Sequence, residues 1–151
     1  MELMFDGIGR RNFSFAFTFI PKSEKEAKEV QKIIYQFKYH MAADFSDELR
    51  SAGQEHYPGG KAPEVFTVRE MDIPSTFDIE YKYLHGSNNY LNKISTCVLS
   101  KLDVEYGSDR FIAHKETEGL GGSGAPPQTT KLTLAFTELE LITKQRIKEG
   151  Y

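Results

Sequence analysis

Asn12-Phe13-Ser14-Phe15-Ala16-Phe17-Thr18-Phe19 sets a phenylalanine at every second position, with a small or polar residue on either side of each. Side chains of an extended strand alternate between its two faces, so all four rings fall on one side. Ile20-Pro21 ends the strand, because proline has no N–H to give to a ladder. Ser23 and Glu26 then form an S-x-x-E capping box, which opens a helix by satisfying its first N–H groups. Beyond it Ala27, Val30, Ile34, Phe37 and Met41 recur at spacings of three and four, an apolar stripe for packing onto a sheet. The expectation is a core seeded by Phe13, Phe15, Phe17 and Phe19, covered by Val30, Ile34 and Phe37, with the helix ending near Met41 to Ala43.

The rest of the chain reads mainly as strands. Met1 to Arg11 is an irregular lead-in. Asp44 to Pro63 is a long glycine- and proline-containing linker, with a turn of helix around Asp47 to Ser51, and such long connections are functional or mobile. Strands are expected at Glu64 to Ile73 and at Thr76 to Leu84. In the second, Phe77, Ile79, Tyr81 and Tyr83 face one way and Thr76, Asp78, Glu80 and Lys82 the other. His85 to Asn89 turns into a long run, Leu91 to Tyr106, which bends or bulges to serve two sheets. Arg110 to Lys115 is read as a further strand, Glu116 to Thr129 as a second mobile linker, and Lys131 to Thr143 as the last strand. The apolar face of that strand switches after Phe136, implying a bulge near Thr137 or Glu138. The polar segment from Lys144 to Tyr151 frays or finds a partner. The reading is one domain over residues 1–151, mainly β with one flanking helix, as an antiparallel sandwich or barrel of about six strands.

Bulk properties narrow the function. At 151 residues and a formal charge of −3, the chain is not a broadly basic nucleic-acid binder. No apolar run approaches the roughly 20 residues a membrane helix needs, and the acidic start does not read as a secretory signal. A single cysteine, Cys97, makes no internal disulfide and reads as a small buried or half-buried hydrophobe.

Candidate chemistry is sparse. Gly119-Leu120-Gly121-Gly122-Ser123-Gly124 matches G-x-G-x-x-G, but a dinucleotide site needs a helix to open at the last glycine. Pro126-Pro127 and a strand follow instead, so the segment reads as a flexible hairpin. His40, His56, His85 and His114 lack the spacing of a helical metal pair, and no cofactor or metal is expected. Glu138 with Glu140, and Asp78 with Glu80, are read as carboxylate pairs on solvated or subunit-facing strand faces rather than as an acid/base couple. No catalytic role is assigned.

Several pieces in order resemble a known family. They are Phe5-Asp6-Gly7 with Arg11 and the phenylalanine strand; Pro21-Lys22-Ser23 with Glu24, Ala27, Val30, Ile33-Ile34 and Phe37-Lys38; and Pro74-Ser75-Thr76-Phe77-Asp78-Ile79-Glu80-Tyr81. Asn92-Lys93-Ile94-Ser95-Thr96-Cys97 follows, and then Pro127-Gln128-Thr129-Thr130 through Glu138-Leu139-Glu140-Leu141-Ile142-Thr143. Together they resemble the baseplate tail-tube junction proteins of T-even-like contractile-tailed bacteriophages, over the C-terminal portion of the larger members. The resemblance implies a tail-tube fold and a structural virion protein, assembled in the host cytoplasm into a hexameric ring. Its partners would be further copies of itself, the baseplate hub and the tail tube, with DNA passing through unbound and no membrane contact.

A net-acidic subunit fits a bore that must not retain DNA, since each phosphate neutralised by a basic side chain adds affinity. Candidate lumen or subunit contacts are Asp78, Glu80, Asp103, Glu105, Glu138 and Glu140. Apart from its neighbours the chain is expected to be a monomer. The alternatives are a major tail-tube or secretion-system tube subunit and, remotely, a small enzyme using Glu138/Glu140 or Cys97.

Overall fold

A computed structural model describes residues 7–45, 71–107 and 110–151. The fold is mainly β, a curled antiparallel sheet in the form of a half-barrel. The sheet joins β1 (Asn12–Phe19), β10 (Thr130–Glu138), β7 (Cys97–Tyr106) and β4 (Thr76–Phe77), in that spatial order. Helix α1 (Glu24–Met41) packs on its apolar side, nearer β7 than β1. Among the described residues three two-stranded antiparallel ladders add to it: β2 (Asp44–Phe45) with β3 (Met71–Asp72), and the hairpins β5 (Lys82–Tyr83) with β6 (Gly86–Ser87) and β8 (Thr117–Gly119) with β9 (Gly122–Gly124).

The helix starts where its cap dictates. Ser23 Oγ accepts the Glu26 N–H at 3.2 Å, and Glu26 reaches back to the Lys22 N–H at 2.8 Å, one residue earlier than the usual reciprocal bond. Ile34 is buried in the apolar stripe, and Val30, Phe37 and Met41 are half-buried against the core.

The centre of the core is not β1. Leu132, Leu134 and Phe136 on β10, with Cys97 and Leu99 on β7, are nearly or fully excluded from water. Register explains this: β10 lies between two full-length neighbours, whereas β1 is an edge with β10 on one side alone among the described residues. The antiparallel ladder lays down three rows across the apolar face. Phe13 meets Phe136 and Leu99, Phe15 meets Leu134 and Leu102, and Phe17 meets Leu132 and Val104. Phe13, Phe15 and Phe19 are half-buried, but Phe17 is 46% exposed and does not belong to the core. It stands on the border strand of the described sheet and stacks on Phe19. Aromatic contacts then link the layers: Phe37 stacks on Phe77, which meets Phe136 edge-on, and Phe136 in turn meets Phe15.

Several boundaries depart from the pattern reading. The Thr76–Leu84 strand shrinks to Thr76–Phe77, then gives way to irregular chain and the β5–β6 hairpin. The run from Leu91 becomes strand only at Cys97, and residues 110–115 contribute one isolated bridge, Ala113 to Pro127. The bulge falls on β7, not near Thr137: Leu99 pairs with Phe136 and Lys101 with Ala135, leaving Ser100 extra. The inward positions therefore switch from Cys97 and Leu99 to Leu102 and Val104 while β7 stays within one sheet. β10 alternates without interruption and stops at Glu138. The Glu116–Thr129 linker contains the β8–β9 hairpin, whose Leu120 N–H donates to Gln31 Oε1 at 2.9 Å. Residues 144–151 form a short helix, α2 (Lys144–Lys148), and its cap. The helical turn at Asp47–Ser51, most of the Asp44–Pro63 linker, and residues 64–70 of the Glu64–Ile73 strand lie outside the described residues.

Candidate functional site and assembly surfaces

The side of the sheet opposite α1 is small and polar. On β1 it carries Asn12, Ser14, Ala16 and Thr18, which the register sets beside Thr137, Ala135, Thr133 and Lys131 on β10. Beyond these, β7 contributes Lys101, Asp103 and Glu105. Lys101 Nζ lies 2.6 Å from Asp103 Oδ2, and Lys131 Nζ lies 3.9 Å from Glu105 Oε2. Two lysines against two carboxylates leave this surface with no net charge from those four groups. Exposed pairs of this kind contribute little to stability, about 0–1 kcal/mol each, so their main effect is on what the surface attracts.

Of the six carboxylates expected to face a lumen or a neighbour, Asp103 and Glu105 alone occupy that face. Asp78 and Glu80 follow the end of β4 and are exposed. Asp78 accepts a hydrogen bond from Thr96 Oγ1 at 2.8 Å, and Glu80 accepts one from the Ser87 hydroxyl and pairs with Lys82. Glu140 lies beyond β10 and holds Arg146 at 2.5 Å. Glu138 and Glu140 therefore do not share a strand face.

Glu138 is the largest departure. It occupies the fifth inward position of β10 and is fully buried, against the expectation of a solvated or subunit-facing carboxylate. Arg11, the residue before β1, donates to both carboxylate oxygens, Nε at 2.7 Å and Nη2 at 2.8 Å. The Ser95 N–H donates a third bond at 2.9 Å, and Arg11 also reaches the Lys93 carbonyl. Burial works to raise the Glu138 pKa, but the bonds from Arg11 and Ser95 outweigh it and hold the carboxyl below its ordinary value. Cys97, also buried, donates to the Ser95 carbonyl, and burial together with the Glu138 charge pushes its thiol up to about 11. A thiol so shifted stays protonated at neutral pH, the opposite of an activated nucleophile. The signal for Glu138 was present in Leu132, Leu134, Phe136 and Glu138 at strict two-residue spacing; its partner Arg11 had no such signal.

The opposite end of the sheet holds a groove of about 660 Å³, lined by Val30, Ile34 and Tyr35 of α1, with Tyr106, Phe111 and Leu120 across from them. The glycine-rich segment forms one wall as the β8–β9 hairpin, and no helix follows it. His40 bonds Ser75 Oγ and His114 bonds the Pro21 carbonyl, each on a separate element; His56 lies outside the described residues. Among the described residues no group of three or more His, Cys, Asp or Glu side chains is placed to hold a metal, and no helix is long and apolar enough to cross a membrane. No protein-family model, curated protein or solved structure matches the chain.

Proposed function

We propose that this chain is a ring-forming structural subunit of a contractile phage tail. In this reading it sits at the baseplate, joins the central hub to the tail tube, starts tube assembly and forms part of the DNA channel. The tail-tube sandwich or barrel belongs to this proposal; the half-barrel would be completed by neighbouring copies.

The observation that carries the reading is the polar sheet face. Hydroxyl-bearing and alanine side chains there alternate with lysines neutralised by Asp103 and Glu105. A conduit for DNA needs such a surface, because unopposed lysines would hold phosphate and unopposed carboxylates would repel it. Among the described residues the sheet ends in β1 on one side and β4 on the other, and closure into a ring would remove such edges.

The test is electron microscopy of the chain mixed with candidate hub and tube proteins. A junction subunit forms rings that bind both. A subunit that polymerises alone into tubes supports the major-tube alternative. Absence of rings in every mixture, or rings whose channel is lined by another surface, overturns the proposal.

A further inference from the structure

Among the described residues β1 is a long edge with none of the usual protections. Sheet borders are ordinarily blunted by charge, proline, a bulge or brevity. The other border of this sheet shows three of these: β4 is two residues long, β7 is bulged at Ser100, and Lys101, Asp103 and Glu105 are charged. Asn12 to Phe19 has no charge, no proline and no break in register over eight residues. Its alternate N–H and C=O groups point away from β10, and Phe17 beside them is 46% exposed.

The strand is also close to a palindrome. Phe-Ser-Phe-Ala-Phe-Thr-Phe reads nearly the same in both directions from Ala16. In an antiparallel pair related by a two-fold axis, residue i meets j and j meets i. Centred on Ala16, Phe13 meets Phe19 of the second copy, Ser14 meets Thr18, Phe15 meets Phe17, and Ala16 meets itself. Every pair keeps its face: rings oppose rings on the apolar side, and hydroxyls oppose hydroxyls on the polar side. These are favourable cross-strand pairs. A register shifted by one would place rings against hydroxyls.

We infer that a second copy of this chain occupies the β1 edge. It makes an isologous dimer through antiparallel β1–β1 pairing about Ala16, so that the two sheets run on as one. The inference concerns the free chain and rests on β1 alone, not on the phage reading; it replaces the expectation of a free monomer, and a ring closed head-to-tail through the same border needs this pairing to open first.

The test begins with light scattering on the purified chain, where a particle of twice 17.2 kDa is expected. Ala16→Lys puts two ammonium groups face to face at the axis, from a position exposed in the single chain. It should dissociate the dimer at least roughly ten-fold more readily, with an unchanged far-ultraviolet spectrum. Register is read by cross-linking. Ala16→Cys places two thiols on residues roughly 4.5–5.5 Å apart at Cα, within disulfide reach. Ser14→Cys alone leaves its copies roughly 13 Å apart, but Ser14→Cys mixed with Thr18→Cys brings unlike partners together. The buried Cys97 gives the parent chain as a silent control. A monomer up to about 100 µM, a larger oligomer, or Ser14→Cys cross-linking alone as fast as Ala16→Cys would each overturn the inference.

Discussion

Arg11 and Glu138 stand 127 positions apart in the chain, yet Arg11 donates to both oxygens of the Glu138 carboxylate. The contact binds the residue before β1 to the last residue of β10, and the Ser95 N–H and Lys93 carbonyl draw a third segment into it. Glu138 is fully buried and the Arg11 side chain 28% exposed, so water screens the pair little.

Removing one partner should therefore cost far more than removing both. Arg11→Ala leaves a buried carboxylate with Ser95 as its remaining donor and is expected to cost roughly 3–5 kcal/mol. Arg11→Leu with Glu138→Leu should recover most of that loss, because neither charge then needs a partner. Urea titrations of the single and double variants check it, and a double variant as weak as the single one would contradict it.

The same cluster sets two limits on stability with pH. The folded Glu138 pKa is depressed, so its contribution is present above the unfolded value near 4.3 and is lost as pH falls through the folded value. The folded Cys97 pKa is raised to about 11, so its contribution is intact below the unfolded value. That contribution is lost as pH rises from about 9 toward 11, on the order of 2 kcal/mol. Denaturation at pH 8 and pH 10.5 should show the fall, and Cys97→Ala should flatten it.

Core position can be told from pattern by comparing two apolar truncations. Leu134→Ala opens a cavity between β1 and β7 and should cost about 2–5 kcal/mol. Phe17→Ala, at a half-exposed border, should cost less than about 1.5 kcal/mol. Thermal melts should rank them in that order; the reverse order would put the centre of the core back on β1.

Charge balance on the polar face predicts a gain of binding. Asp103→Asn with Glu105→Gln leaves Lys101 and Lys131 unopposed. The double variant should retain duplex DNA at low salt, with a log–log salt slope of roughly −1 to −2, and the parent should not. Fluorescence anisotropy across a salt series measures it, and equal behaviour of the two proteins would remove the argument for a neutral bore.

What could be read from the chain alone was what neighbours in sequence decide. Asn12–Phe19 and the Ser23 cap were legible because alternation and capping act within a few residues. The length of the Leu91–Tyr106 run points to a bend or bulge, and one falls at Ser100, but within a single sheet rather than between two; the second bulge expected near Thr137 or Glu138 does not occur. Glu138 was misread because a charge in an alternating strand is normally solvated, and the guanidinium that reverses this comes from the far end of the sequence. Which strand lay in the middle of the sheet was also hidden. Phenylalanine content marked β1 as central, whereas position between two neighbours made β10 the buried strand.

The pairing of β1 with β10 has a consequence for synthesis. The ribosome releases the phenylalanine strand well before β10, the only described strand that pairs with it. In the interval between the two, that phenylalanine-rich ribbon has no described strand to pair with. Slow closure of so distant a contact, and reliance on chaperones that shield extended apolar segments, follow from the order in which the two strands are made.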